Sequence, residues 1–163
     1  MVALPSFAQY VAISRGKDEP MDKDTVLHVT LPIKINIDAI KRAKATQLQV
    51  FECLEFFSLC YGAVSNACDK STEESRLLLE KRCKALFLAA NTSRKILLRI
   101  RNNEPSTCKP GEITALDDGF TAAIEAHEAL PEWAFMQAGY QLMRHGIKRN
   151  EKPKRKTKRR RGK

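Results

Sequence analysis

The residues with the clearest chemistry in this sequence lie together at positions 148–163, which read KRNEKPKRKTKRRRGK. Lys148, Arg149, Lys152, Lys154, Arg155, Lys156, Lys158, Arg159, Arg160, Arg161 and Lys163 are cationic, and Glu151 is the one acid. Such a run binds phosphate, because each neutralised phosphate releases condensed counterions and that release drives association. Lys supplies a mobile point charge, whereas Arg holds phosphate with two donors at once. The run has no apolar residue to bury, repels itself, and loses one backbone donor at Pro153, so it is expected to be disordered when free. No aromatic residue is interleaved, so base stacking is absent and sequence preference should be weak. A solubilising terminus and a nuclear-import signal are the competing readings. Polyanion binding is favoured over mere solubility, since eleven like charges destabilise a chain that has no use for them.

The whole chain carries 29 Lys+Arg against 19 Asp+Glu, a net of +10. Segment 148–163 contributes 11 − 1 = +10, so the first 147 residues hold 18 bases and 18 acids. The body is formally neutral, yet its charges are segregated. Between Arg76 and Arg101 stand eight basic residues and the single acid Glu80. Between Glu112 and Glu132 stand six acids, at 112, 117, 118, 125, 128 and 132, and no Lys or Arg. Neighbouring helices with complementary flanks are the commoner outcome for such runs. The alternative is a folded, phosphate-contacting basic face made by Arg94, Lys95, Arg99 and Arg101.

Other chemistry is harder to find. The cysteines at 53, 60, 68, 83 and 108 form no C-x-x-C pair, and the three histidines are scattered. Cys53, Cys60 and Cys83 fall on apolar helical faces, where a thiol acts as a small hydrophobe. A di-iron bundle needs Glu-x-x-His on two helices; His127, in Glu125-Ala-His-Glu128, has the wrong spacing and no second copy, so it reads as a packed histidine. No phosphate-cradling glycine loop, nucleophile elbow or zincin motif occurs, so no metal, cofactor or catalytic residue is assigned and an enzyme is not expected. The odd cysteine count and the absence of a secretory start point to a reducing, cytoplasmic compartment, or the nucleus in a eukaryotic host.

The elements that position these residues are expected to be helical. At 163 residues and 18.4 kDa the chain allows one ordinary domain, and no apolar run approaches the roughly 20 residues of a spanning helix, so no membrane insertion is expected. Residues 1–24 read as a partly ordered segment, with Ser6 capping a short helix through Phe7, Tyr10, Val11 and Ile13. Residues 25–147 read as a helical bundle domain led by a strand at 25–31, where Leu27, Val29 and Leu31 alternate with Val26, His28 and Thr30. One long helix is expected over about 36–67, its seam Ile40, Ala43, Val50, Leu54, Phe57, Tyr61 and Val64, widened almost all round by Phe51, Phe56, Leu59 and Cys60. Ser71-Thr-Glu-Glu74 reads as a capping box opening a helix to about 101, with Leu79, Cys83, Leu86, Ala90, Ser93, Leu97 and Ile100 at heptad steps and a possible kink at Asn91-Thr92-Ser93. A third helix at about 112–130 uses Ile113, Leu116, Phe120, Ala123, His127 and Leu130. A fourth begins at Pro131 and presents Trp133, Met136, Tyr140, Met143 and Ile147 on one face. The sum is an all-α antiparallel bundle of about four main helices, the two long ones projecting beyond the two short ones and leaving an apolar end for self-association.

Residues 26–57 resemble the ribbon-helix-helix family: a strand ending at Leu31-Pro32, a helix containing Ala43, a break near Gln47 and a second helix through Leu54. The resemblance implies paired strands from two chains reading the DNA major groove, with Val26, His28 and Thr30 as the readers. The outward residues are less basic than that family's, and Gln47 stands where it has a glycine-like turn. Three functions follow. The leading one is a non-enzymatic protein whose bundle self-associates, as a homodimer, or docks a helical partner, while 148–163 holds DNA or RNA by its phosphates. The second is a dimeric, sequence-reading DNA-binding protein. The third is a structural or adaptor protein that works through the apolar surface near Phe51, Phe56 and Phe57, with the basic run as a localisation signal.

Overall fold

The computed structural model describes residues 23–144, with side chains from Thr30 onward. Within them the chain forms five helices and no strand: α1 (Lys23–Lys41), α2 (Gln47–Asp69), α3 (Glu73–Arg101), α4 (Pro110–Ala129) and α5 (132–144). The short helix expected after Ser6 and the run 148–163 lie outside the described residues, as do Gly146 and Ile147. No helix described is long and apolar enough to cross a membrane.

α2 is the centre of the bundle, as its nearly all-round apolar surface requires. Val50, Cys53, Phe56, Phe57, Leu59, Cys60, Ala63 and Val64 are all buried, against α1, α3 and α4 and against α5, where Gly62 meets Ala138. α3 and α4 run antiparallel. On α3 and α4 the facing pairs are Arg82–Glu125, Ala89–Gly119 and Arg99–Glu112, advancing along one helix as they retreat along the other.

The long helix expected over 36–67 is two helices with a corner between them. α1 ends in a Schellman turn, with Lys44 N–H donating to the Ala39 carbonyl at 2.9 Å and Ala43 N–H to Ile40 at 3.0 Å. Ala43 sits there at φ 57°, a left-handed conformation, and is exposed rather than part of the seam. Three residues later Thr46 caps α2: its hydroxyl accepts from Gln49 N–H at 3.1 Å, and the Gln49 amide oxygen accepts from Thr46 N–H at 2.8 Å. This reciprocal box, Thr-x-x-Gln, starts a helix as firmly as Ser-x-x-Glu does. With the helix divided, only α3, at 29 residues or about 44 Å, is long. The projecting pair of long helices therefore does not form.

The strand expected over 25–31 is also replaced, because these residues lie within α1. Thr30 is 5% exposed and Leu31 50%, the reverse of the expected faces. The helical period decides this: Thr30, Ile33, Ile37 and Ile40 recur at steps of three and four and all are buried, which outweighs seven residues of alternation. Pro32 sits inside the helix at the cost of one i→i−4 hydrogen bond. Without a strand there is no ribbon, so Val26, His28 and Thr30 cannot serve as its groove-facing readers.

Two further expectations change. The Ser71 capping box is not formed; α3 starts two residues later behind Thr72, and the Ser71 hydroxyl donates instead to the Cys68 carbonyl at 2.8 Å. α3 also runs unbroken through Asn91-Thr92-Ser93, where Ser93 bonds back to the Ala89 carbonyl at 3.0 Å. On α5 the buried face is Ala134, Phe135 and Ala138, whereas Trp133, Tyr140 and Met143 point outward. Small residues let α5 approach α2 closely: a methyl on Gly62 would lie 3.0 Å from the Ala138 Cβ. The Lys70 ammonium lies 4.8 Å from the centre of the outward Trp133 ring.

Two substitutions test these backbone assignments with opposite signs. Ala43→Gly should raise unfolding free energy by about 1 kcal/mol, since glycine relieves the left-handed penalty. Gly119→Ala should lower it by about 1–3 kcal/mol, because the new methyl would stand 2.2 Å from the Ala89 Cβ. Urea unfolding measures both; a stabilised Gly119→Ala, as in an ordinary exposed helix, would contradict the close crossing.

Candidate nucleic-acid interface

The eleven cations of 148–163 lie outside the described residues, and the described candidates are the four basic residues of α3. Its four expected members do not act alike. Arg99 is half-buried and engaged: its two terminal nitrogens grip both carboxylate oxygens of Glu112, one at 3.0 Å. That pairing holds the Glu112 carboxyl below the usual carboxylate range, the Arg99 hydrogen bonds being the largest cause. Arg94, Lys95 and Arg101 are exposed. Arg94 and Arg101, seven residues apart, share a face of α3, and Arg94 donates to the Asn91 side-chain oxygen at 3.3 Å.

The segregated charges of the body thus meet in part as complementary flanks. Besides Arg99–Glu112, Arg82 contacts Glu125 at 3.2 Å across the same pair of helices. Lys41, in the last turn of α1, pairs with Asp117 on α4. Three of the six acids near residue 118 are therefore matched within the fold by basic residues of α1 and α3. Arg94, Lys95 and Arg101 are left facing outward.

A cleft of about 520 Å³ opens where α2, α3 and α5 meet. Tyr61 of α2 and Phe87 of α3 form one wall, their ring centroids 5.9 Å apart and tilted by 49°. Both are substantially exposed, 38% and 50% respectively. Asn91 and Arg94 continue the α3 side, while Asn66 and Gln141 face them, joined by a long amide contact of 3.4 Å. The sequence seam placed Tyr61 in the core and passed over Phe87. Phe87 falls off the Leu79–Cys83–Leu86–Ala90 row, and that offset was the available signal that it faces outward.

The buried polar groups are structural. His127 is 2% exposed, stacks parallel to Phe56 at 5.7 Å and meets Phe135 at 4.6 Å. Its Nδ1–H donates to the Ala123 carbonyl at 2.9 Å, and the Cys60 sulfur lies 3.9 Å away. Burial pushes its pKa down to about 4, against a smaller opposing pull from the Ala123 hydrogen bond. Burial likewise raises the thiols of Cys53 and Cys60 well above their ordinary range and that of Cys83 to about 11, which leaves them protonated and unreactive. Asn36 of α1 donates to the buried Glu52 carboxylate of α2 at 3.2 Å. Among the described residues no three His, Cys, Asp or Glu side chains cluster as a metal site. No family model, curated protein or solved structure matches the chain.

The His127 environment predicts a pH dependence. The unfolded histidine titrates near 6.5 and the folded one near 4, so between these values the unfolded chain binds more protons. The contribution is fully present above pH 6.5 and is lost as the pH falls to 4, amounting to about 3 kcal/mol. Unfolding measured across this window should be less pH-dependent in His127→Leu by that amount. Parallel profiles for the two proteins would refute the assignment.

Proposed function

We propose that this chain is a non-enzymatic nucleic-acid-binding protein in which the helical bundle assembles and segment 148–163 holds the phosphate backbone. The observation that carries the reading is the placement of charge: residues 1–147 balance at 18 bases and 18 acids, and the entire surplus of +10 falls in the last sixteen positions. Pairing within the fold strengthens it. Lys41, Arg82 and Arg99 have acidic partners on α4, so at least half of that helix's acid run is already matched. Arg94, Lys95 and Arg101 extend the cationic footprint onto α3, while Arg99 acts as a strut for α4. Phosphate contact of this kind carries little sequence information.

Assembly is supported by apolar side chains that stay exposed on the outer helices. Leu31 and Ile35 stand one turn apart on α1, and Leu77 and Leu78 at the start of α3. A second copy of the chain or a helical partner is the natural cover for such residues.

Binding to a labelled oligonucleotide should weaken about 10³–10⁵-fold between 50 and 200 mM salt if 6–10 phosphates are engaged. The full-length protein with its eleven cations of 148–163 changed to Gln should lose most of that affinity and of the salt slope. A flat salt titration, or undiminished binding by the neutralised protein, would refute the proposal.

A further inference from the structure

The basic segment offers no ring on which a base can stack, but the cleft between α2, α3 and α5 does. Tyr61 and Phe87 present an exposed, mutually tilted aromatic pair. Arg94 lies seven residues beyond Phe87, two turns along the same face of α3, and its guanidinium is steadied by Asn91 at 3.3 Å. Across the opening, the Asn66 amide donates to Gln141 at 3.4 Å and to the Ala134 carbonyl at 3.5 Å, both long contacts, and the two side chains together carry donors and acceptors. Aromatic faces, a cation and paired amides are the three contacts an unpaired nucleotide takes: stacking, a phosphate grip and hydrogen bonds to the base edge. An apolar helix from a protein partner would instead cover Arg94, Asn91 and Asn66 without matching them.

The position of the cleft along the chain adds a second argument. Leu142, on α5, lines it, and Lys148 follows only six residues later. Six residues span at most about 20 Å even when fully extended. A strand held by the start of the basic segment therefore passes within a few nucleotides of the aromatic pair.

We propose that this cleft is a base-binding site for single-stranded nucleic acid, in which an unpaired base stacks on Tyr61 and Phe87, Arg94 holds the adjoining phosphate, and the strand continues along 148–163. The inference rests on the nucleic-acid reading above and narrows it. A duplex keeps its bases stacked on one another and cannot fill the site, so the chain discriminates strand state even where it is indifferent to sequence.

The test uses the full chain and three fluorescent probes of one sequence: a 12-nucleotide RNA, the matching DNA single strand, and the DNA duplex. Single strands should bind more tightly than the duplex, and the RNA and DNA arms identify which of them the site prefers. Tyr61→Leu with Phe87→Leu keeps apolar bulk but removes both π faces. It should weaken single-strand binding about tenfold or more, leave duplex binding unchanged, and leave the circular-dichroism melt close to that of the parent. Crosslinking the unsubstituted protein to an oligonucleotide carrying 4-thiouridine should label peptides containing Tyr61 or Phe87, and this readout needs no variant. Salt-steep binding with equal affinity for all probes, no effect of the double variant, and crosslinks confined to 148–163 would overturn the base site while leaving the phosphate-binding function intact. Failure of the full chain to bind any probe would overturn both.

Discussion

The spacing between α3 and α4 is set where Ala89 packs over Gly119 so closely that even one methyl group would not fit between them, a contact that Phe57 of α2 closes from the third side. Small residues on both helices, Ala89 on one and Gly119 and Ala122 on the other, permit this close crossing. That approach determines what the flanks can do. Arg82 and Glu125 lie on one side of the crossing and Arg99 and Glu112 on the other, and at a wider separation neither pair would close. The ion pairs are thus consequences of the crossing: they fix rotation and register, and the burial of α2 between its neighbours supplies most of the stabilisation.

Because most of α2 is covered by its neighbours, each buried polar group around it has to find a partner inside the bundle. Glu52 is met by Asn36, His127 by the Ala123 carbonyl, and Ser93 by the Ala89 carbonyl. The last two use a backbone oxygen one turn earlier on their own helix. His127 thus lies flat on Phe56 and tilted against Phe135, an aromatic space-filler with its Nδ1 edge turned back to α4.

Legibility from sequence follows the type of signal. α3 and α4 were readable almost to their ends, because Leu79, Leu86 and Leu97, and Leu116, Ala123 and His127, keep a helical period over many turns. The corner between α1 and α2 was hidden: Ala43 adopts a left-handed turn with a residue that normally avoids it, and Thr46–Gln49 is a capping box set among residues that would also suit a helix interior. The strand reading gave weight to alternation over seven residues and overlooked Ile33, Ile37 and Ile40 beyond Pro32. On α5, size misled, since the small Ala134 and Ala138 are buried for closeness and the large Trp133, Tyr140 and Met143 are left outside. As for the interface, the complementary flanks could be read as charge runs, but which cation pairs inward depends on register, and only Arg99 of the four does so. The cleft draws on three helices distant in sequence, and no local pattern announces it.

Trp133 is the sole tryptophan of the chain, and it sits on the outside of α5, under the Lys70 ammonium at the end of α2. Its luminescence consequently reports on the seam where α5 rests against α2, while the buried phenylalanines add little to it. The same helix leads, within a few residues, into the cationic run. The protein thus carries an intrinsic lamp in the first turn of α5, and any loosening of that turn from the end of α2 would change its light.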